Sequence, residues 1–190
     1  MTKKYQLPDK RTIKIVGEPR PMEKKDLVTV FKLYKNQVQN YKLFFKYSQD
    51  DIMHLLLPKD DIVWTYVIDG VDEKGNKAVT DFISMYRLTQ STTSPEAMSK
   101  GITQMHSGGI YFYGLTVNSL EDMVKLALHL AKDDMECDAL SAMNLMDNKP
   151  DLFEGKLGFV SGDGALHYYL VNWALGEEVI KSNDLGTILL

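Results

Sequence analysis

The runs "DIVWTYVID" (61–69) and "AVTDFISMYRL" (78–88) flank "GVDEKGNK" (70–77). Both runs are rich in β-branched and aromatic residues, and the intervening octet carries two glycines and an asparagine. That pattern predicts a β-hairpin and decides the fold class. Upstream, from Lys25 to about Tyr41, the period changes to that of a helix, with Leu27, Phe31, Tyr34 and Val38 on one apolar stripe. Ser48 and Asp51 have capping-box spacing, which predicts a second, shorter helix. Downstream, residues 89–109 are rich in Ser, Thr and Gly and read as a long loop. "IYFYGLTV" (110–117) reads as a strand. Ser119 and Asp122 open another helix, whose apolar face is Met123, Leu126, Ala127 and Leu130. "CDALSAMNLM" (137–146) reads as a strand turning into a helix, "SGDG" (161–164) as a turn, "ALHYYLVNW" (165–173) as a strong strand, and the terminal "TILL" as a short one. The sum is a mixed α/β fold, with a partly antiparallel sheet and flanking helices. Residues 1–20, polar and carrying Pro8 and Pro19, read as an entry segment to a domain spanning 21–190.

Composition narrows the function classes. The 190 residues are 44% hydrophobic and carry a net charge of −4, enough for one domain with a full core. Nucleic acid is a poor partner for such a chain, because phosphate binding needs clustered positive charge. No stretch approaches the ~18 apolar residues of a transmembrane segment. "MTKKYQLPDK" lacks the apolar core of a signal peptide. Cys137 is the single cysteine, which excludes an internal disulfide and fits a reducing compartment. The expected location is the cytoplasm.

The common catalytic motifs are absent. His54, His106, His129 and His167 have no metal-ligand spacing. Cys137 lies in an apolar run without a basic neighbour and reads as an inert thiol. The ten methionines are dispersed and read as core filler. There is no nucleophile elbow, P-loop or dinucleotide fingerprint. The opening order of proline, "RPMEKKDL", helix and hairpin resembles the start of many acetyltransferase-superfamily domains. Such domains grip the pyrophosphate of coenzyme A with a glycine-containing loop at a helix N-terminus. The corresponding junction here, "YGLTVNSLEDMV", has one glycine, no arginine and an acidic first turn. No cofactor grip is therefore expected in this chain.

An acetyltransferase-type fold without that grip resembles the C-terminal half of a glycylpeptide N-myristoyltransferase. The resemblance runs through "KYQLP" (4–8), "RPMEKKDL" (20–27), "VTDFISMYRL" (79–88), "SAMNLMDNK" (141–149), "KLGFVSGDGALHYYLVNW" (156–173) and "LGTILL" (185–190). It implies a duplicated architecture. A preceding N-terminal half would hold most of the myristoyl-CoA site and the oxyanion donors, and this half would supply much of the groove for N-terminal-glycine peptides. Myristoyl-CoA would then be a co-substrate of the complete enzyme, and the isolated chain would be inactive.

The resemblance also implies a general base, the C-terminal carboxylate, which here belongs to Leu190. An N-terminal glycine amine has a pKa of about 8 and is mostly ammonium at neutral pH. A carboxylate can bind that ammonium and take its proton. A free α-carboxylate is a weak base, and burial on an apolar tail would strengthen it. By the same resemblance Ser91, Tyr111, Ser141, Asp163, Gly164, Leu166 and Leu189 contact the peptide. Ser141 stands where the family pattern expects asparagine, and Ile110 where it expects tyrosine. Two extra residues near Asp151 to Gly155 predict a bulge there. Two other readings remain open: a non-catalytic peptide-binding domain of the same fold, and a complete acetyltransferase.

Overall fold

The computed structural model describes residues 6–72, 74–162, 164–174, 176 and 179–188. Five strands form one sheet in sequential order: β1 (Glu18–Pro21), β2 (Val63–Val71), β3 (Lys77–Ser91), β4 (Gln104–Gly114) and β5 (Ala139–Ser141). β1 to β4 pair antiparallel, and β5 joins β4 in parallel. The expected mixed sheet with flanking helices is thus observed. β2 and β3 are the hairpin anticipated from sequence. Asp72 closes its turn, accepting N–H bonds from Lys74 and Asn76 at 2.9 and 2.8 Å.

Among the described residues, four α-helices accompany the sheet: α1 (Leu27–Val38), α2 (Gln49–Leu56), the single turn α3 (Pro95–Ser99) and α4 (Leu120–Asp133). Ser48 and Asp51 cap α2 reciprocally. Ser119 caps α4 through the Asp122 N–H at 3.1 Å. α1 buries Val30, Leu33, Tyr34 and Val38. Its face is therefore rotated slightly from the expected stripe, with Leu27 and Phe31 half-buried at its margin. The core lies between these helices and the apolar centre of the sheet, and includes Val67, Phe82, Ile83, Met85, Phe112, Met123 and Ala127.

Four readings of local structure are corrected. The predicted loop 89–109 contains regular structure at both ends: β3 and β4 continue through Thr89–His106 to Ser91–Gln104, and α3 sits at the tip. Ladder hydrogen bonds belong to the backbone, so polar side chains on an exposed hairpin do not prevent them. The strand in "CDALSAMNLM" exists as β5, but among the described residues no helix follows before Asp151. Asn148 instead bonds its own segment, Nδ2 donating to the Met143 carbonyl at 2.8 Å, an alternative that Asn offers the backbone in place of a helix. "ALHYYLVNW" forms no ladder among its described residues, and Tyr169, Val171 and Trp173 are exposed. β-propensity reports fit to a pleated surface and supplies no pairing partner. In the terminal "TILL", Thr187 and Ile188 are buried without strand pairing, while Leu189 and Leu190 lie outside the described residues.

The predicted bulge near Asp151–Gly155 is a π turn, Asp151–Lys156, in which the Leu157 N–H reaches back five residues to the Leu152 carbonyl at 3.0 Å. A π turn accommodates extra residues in this way. The entry segment ends in the sheet, since Glu18–Pro21 pairs with β2. No helix among the described residues is long and apolar enough to cross a membrane.

Candidate peptide cleft and terminal slot

Beyond β5 the chain borders an open cleft of ≈ 1150 Å³. Ser141, Asn144, Asn148, Gly164, Leu166 and Tyr168 are among its lining residues. Three of the residues expected to contact peptide, Ser141, Gly164 and Leu166, therefore share one cleft. The Ser141 hydroxyl donates to the Gly108 carbonyl at 3.0 Å. The other two described candidates sit elsewhere. Ser91 is the exposed last residue of β3, opposite Gln104. Tyr111 is buried in the core, edge-on to Tyr86 with ring centroids 6.0 Å apart, and burial pushes its phenol up to about 12. Asp163, Leu189 and Leu190 lie outside the described residues.

The approach to the chain end is well defined. The Asp184 carbonyl accepts from Lys42 N–H and Leu43 N–H at 2.9 and 3.1 Å. The Gly186 N–H donates to the Leu43 carbonyl at 2.8 Å, and the Met146 N–H donates to the Leu185 carbonyl at 3.1 Å. Residues 184–186 thus run in a slot whose two walls are residues 41–43 and 145–147. Beyond the slot, Thr187 and Ile188 are 5% and 2% exposed. The Thr187 side-chain oxygen has no hydrogen-bond partner among the described residues.

A polar cluster joins the walls. Tyr41 donates its hydroxyl to Asp147 Oδ2 at 2.8 Å, and Gln37 Nε2 donates to the same oxygen at 2.9 Å and to Tyr41 at 2.7 Å. Tyr113 accepts the Asp147 N–H at 3.2 Å and donates to Asn148 Oδ1 at 3.1 Å. Burial, then the neighbouring Asp147 carboxylate, raises the Tyr41 phenol above its ordinary range, so it remains a donor at neutral pH. Sequence reading missed Tyr41, Gln37, Asp147 and Asn148, which belong to segments far apart in the chain. Gly186, immediately before the apolar tail, was the only local signal.

The junction between β4 and α4 is also occupied. Buried Asp81 accepts the consecutive N–H groups of Thr116, Val117 and Asn118 on one oxygen, at 2.7, 3.0 and 3.2 Å. Its other oxygen takes Asn118 Nδ2 and the Thr80 hydroxyl, both at 2.8 Å. These backbone donors, ahead of a helix N-terminus, form the kind of concavity that holds anions. Here the chain fills it with its own carboxylate. Cys137 is half-buried, and burial pushes its thiol up, as expected for an unreactive residue.

The architecture is that of the acetyltransferase-like α/β proteins. A solved "probable acetyltransferase" superposes with a TM-score of 0.54 at 11% identity, over 83% of this chain and 99% of that one. Within that class, residues 1–188 match the family model described as "Myristoyl-CoA:protein N-myristoyltransferase, C-terminal domain", and the chain belongs to this family. It is 31% identical over 188 residues to glycylpeptide N-tetradecanoyltransferase 1 of Arabidopsis thaliana, covering 99% of this chain and 40% of that protein. It is 35% identical to glycylpeptide N-tetradecanoyltransferase 2 of Bos taurus, covering 98% of this chain and 34% of that protein. The Saccharomyces cerevisiae N-myristoyltransferase solved with bound myristoyl-CoA has the same fold, with a TM-score of 0.67 at 23% identity, over 83% of this chain and 40% of that one. The chain therefore spans well under half the length of these relatives.

Proposed function

We propose that this chain is the peptide-binding half of a glycylpeptide N-myristoyltransferase, carrying the base for acyl transfer from myristoyl-CoA to an N-terminal glycine amine. The observation that carries the reading is the threaded tail: a family member in which residues 184–186 are led through a backbone-bonded slot and Thr187 and Ile188 beyond it are buried. Such a path suits a base at the chain end, the Leu190 carboxylate. In the reaction that carboxylate accepts a proton from the glycine ammonium. The freed amine attacks the thioester carbonyl, the C–N bond forms, the C–S bond breaks, and coenzyme A leaves as its thiol. The cleft, with Ser141, Gly164 and Leu166 on its wall and Asp163 between Gly162 and Gly164 in sequence, would bind the peptide, with Leu189 in contact as the resemblance implies; Ser91 and Tyr111 lie away from this cleft. The Asp81-filled junction supports placing the coenzyme A grip in an N-terminal half. The cytoplasm is the compartment proposed for this reaction.

The test is an enzyme that joins this chain to such a half. Deleting Leu189 and Leu190, or appending a charged tag, is expected to lower kcat about 10²- to 10⁴-fold, as for loss of a general base, with little change in peptide KM. A tagged enzyme that keeps its kcat would overturn the role of Leu190.

A further inference from the structure

The polar cluster across the slot does work that the acyl-transfer scheme leaves unassigned. We propose that Tyr41 and Asp147 are positioning residues. They clamp the two walls of the slot together, and so fix residues 184–188 and the chain end that follows. This inference rests on the proposed base at Leu190.

Three observations converge on it. First, each wall bonds the tail through its backbone: Lys42 and Leu43 to Asp184, Gly186 to Leu43, and Met146 to Leu185. The walls are more than a hundred residues apart in sequence, and the Tyr41–Asp147 bond, with Gln37 bridging to both, ties them side chain to side chain. Second, the Tyr41 ring is also the floor under the tail. A Cβ added to Gly186 would stand 2.4 Å from Tyr41 Cδ2, closer than real Cβ atoms come, and 3.0 Å from Cγ. Gly186 has no left-handed φ, so its requirement is space against this ring. Third, Met146, which donates to Leu185, is held at φ 55, a sparsely populated region for a side-chain-bearing residue. Such strain persists where surrounding structure over-determines it, and here the surroundings are Asp147, Asn148 and Tyr113. One tyrosine thus shapes the slot by its ring and locks it by its hydroxyl. A terminal base needs that rigidity, because a displacement of about 1 Å can reduce turnover about 10²-fold.

The test separates the clamp from the base. In the 190-residue chain, amide hydrogen exchange at Gly186 and Met146 reads the slot directly. Tyr41→Phe keeps the ring and removes the bond to Asp147, and Asp147→Ala removes the acceptor. Each is expected to speed exchange at these two amides about tenfold or more, with the amides of β2 and β3 unchanged. In the joined enzyme, the same variants should lower kcat about tenfold or more at nearly constant peptide KM. Asp147→Glu, which retains the carboxylate, should recover part of both. Gly186→Ala, which sets a Cβ against the Tyr41 ring and so displaces the tail from its floor, should lower kcat likewise. Unchanged exchange at Gly186 and Met146 in Tyr41→Phe and Asp147→Ala would overturn the clamp, whatever the effect on turnover. Faster exchange with unaltered kcat would overturn the positioning role. Truncation at Leu190 independently shows whether the base assignment fails with it.

Discussion

A single carboxylate can be a hub, and Asp26 shows how sequence and pH meet there. It is 5% exposed and accepts two N–H bonds from Arg20, at 2.7 and 2.9 Å, and one from the Glu23 backbone at 2.8 Å. Arg20 also grips Asp69 on β2, so the ion cluster fastens β1 and the start of α1 to the sheet. The Arg20 guanidinium holds the Asp26 carboxyl below its ordinary range, against the opposing effect of burial. A depressed folded-state pKa gives stability that is present above the unfolded value of about 3.9 and lost as pH falls through the folded value. Asp26→Asn is expected to destabilise the chain by about 1–3 kcal/mol at pH 7. Thermal melts should show the gap to the unsubstituted chain narrowing below pH ~4. A gap that widens in acid would contradict the assignment. Asp81 is a second such hub: five donors hold it as a structural strut, and its neighbours in sequence give no hint of it.

Among the elements, Gly114 sets how closely α1 approaches the sheet. A Cβ there would lie 2.6 Å from the fully buried Phe82 ring and 3.0 Å from the Leu33 backbone. Neither neighbour can move freely, so Gly114→Ala is expected to cost about 1–3 kcal/mol by overpacking. That corresponds to a fall in Tm of several degrees, about 2–4 °C per kcal/mol in a chain of this size. An unchanged Tm would mean that α1 is free to slide. The elements that could be read in the sequence were those whose signal is local: the hairpin turn at Asp72–Asn76, the caps at Ser48 and Ser119, and the helix periods. The misread ones depend on partners. β4 was truncated because His106 and Ser107 look like loop residues until β3 lies beside them. The run 165–173 was read as a strand from its side chains alone, though pairing is a property of two segments. The site divides the same way. Ser141, Gly164 and Leu166, singled out from the resemblance, line one cleft, while the Tyr41–Asp147 clamp joins positions that no local pattern relates.

At the scale of the whole molecule, the chain exposes several large apolar side chains. Leu166, Tyr169, Val171, Trp173 and Val179 are exposed in one stretch. Burying such a surface is favourable in association. The concavity before α4, meanwhile, already holds Asp81. Calorimetric titration of this chain alone with myristoyl-CoA should show no saturable binding near micromolar concentrations, and addition of an N-terminal half should restore binding and turnover. Tight binding by these residues alone would revive the reading as a complete acetyltransferase. The slot around residues 184–186 has a consequence in time as well as in space. Its walls, near Leu43 and Met146, both precede the tail in the chain, and Gly186 bonds a residue 143 positions earlier (186 − 43). Closing so long a loop is entropically unfavourable until the walls exist, so the tail is expected to dock after the body of the domain has assembled. During synthesis, too, the walls leave the ribosome before the segment they receive. A base at Leu190, as proposed, would then reach its place only once the fold around it is complete, and the order of assembly would itself guard against a half-formed catalyst.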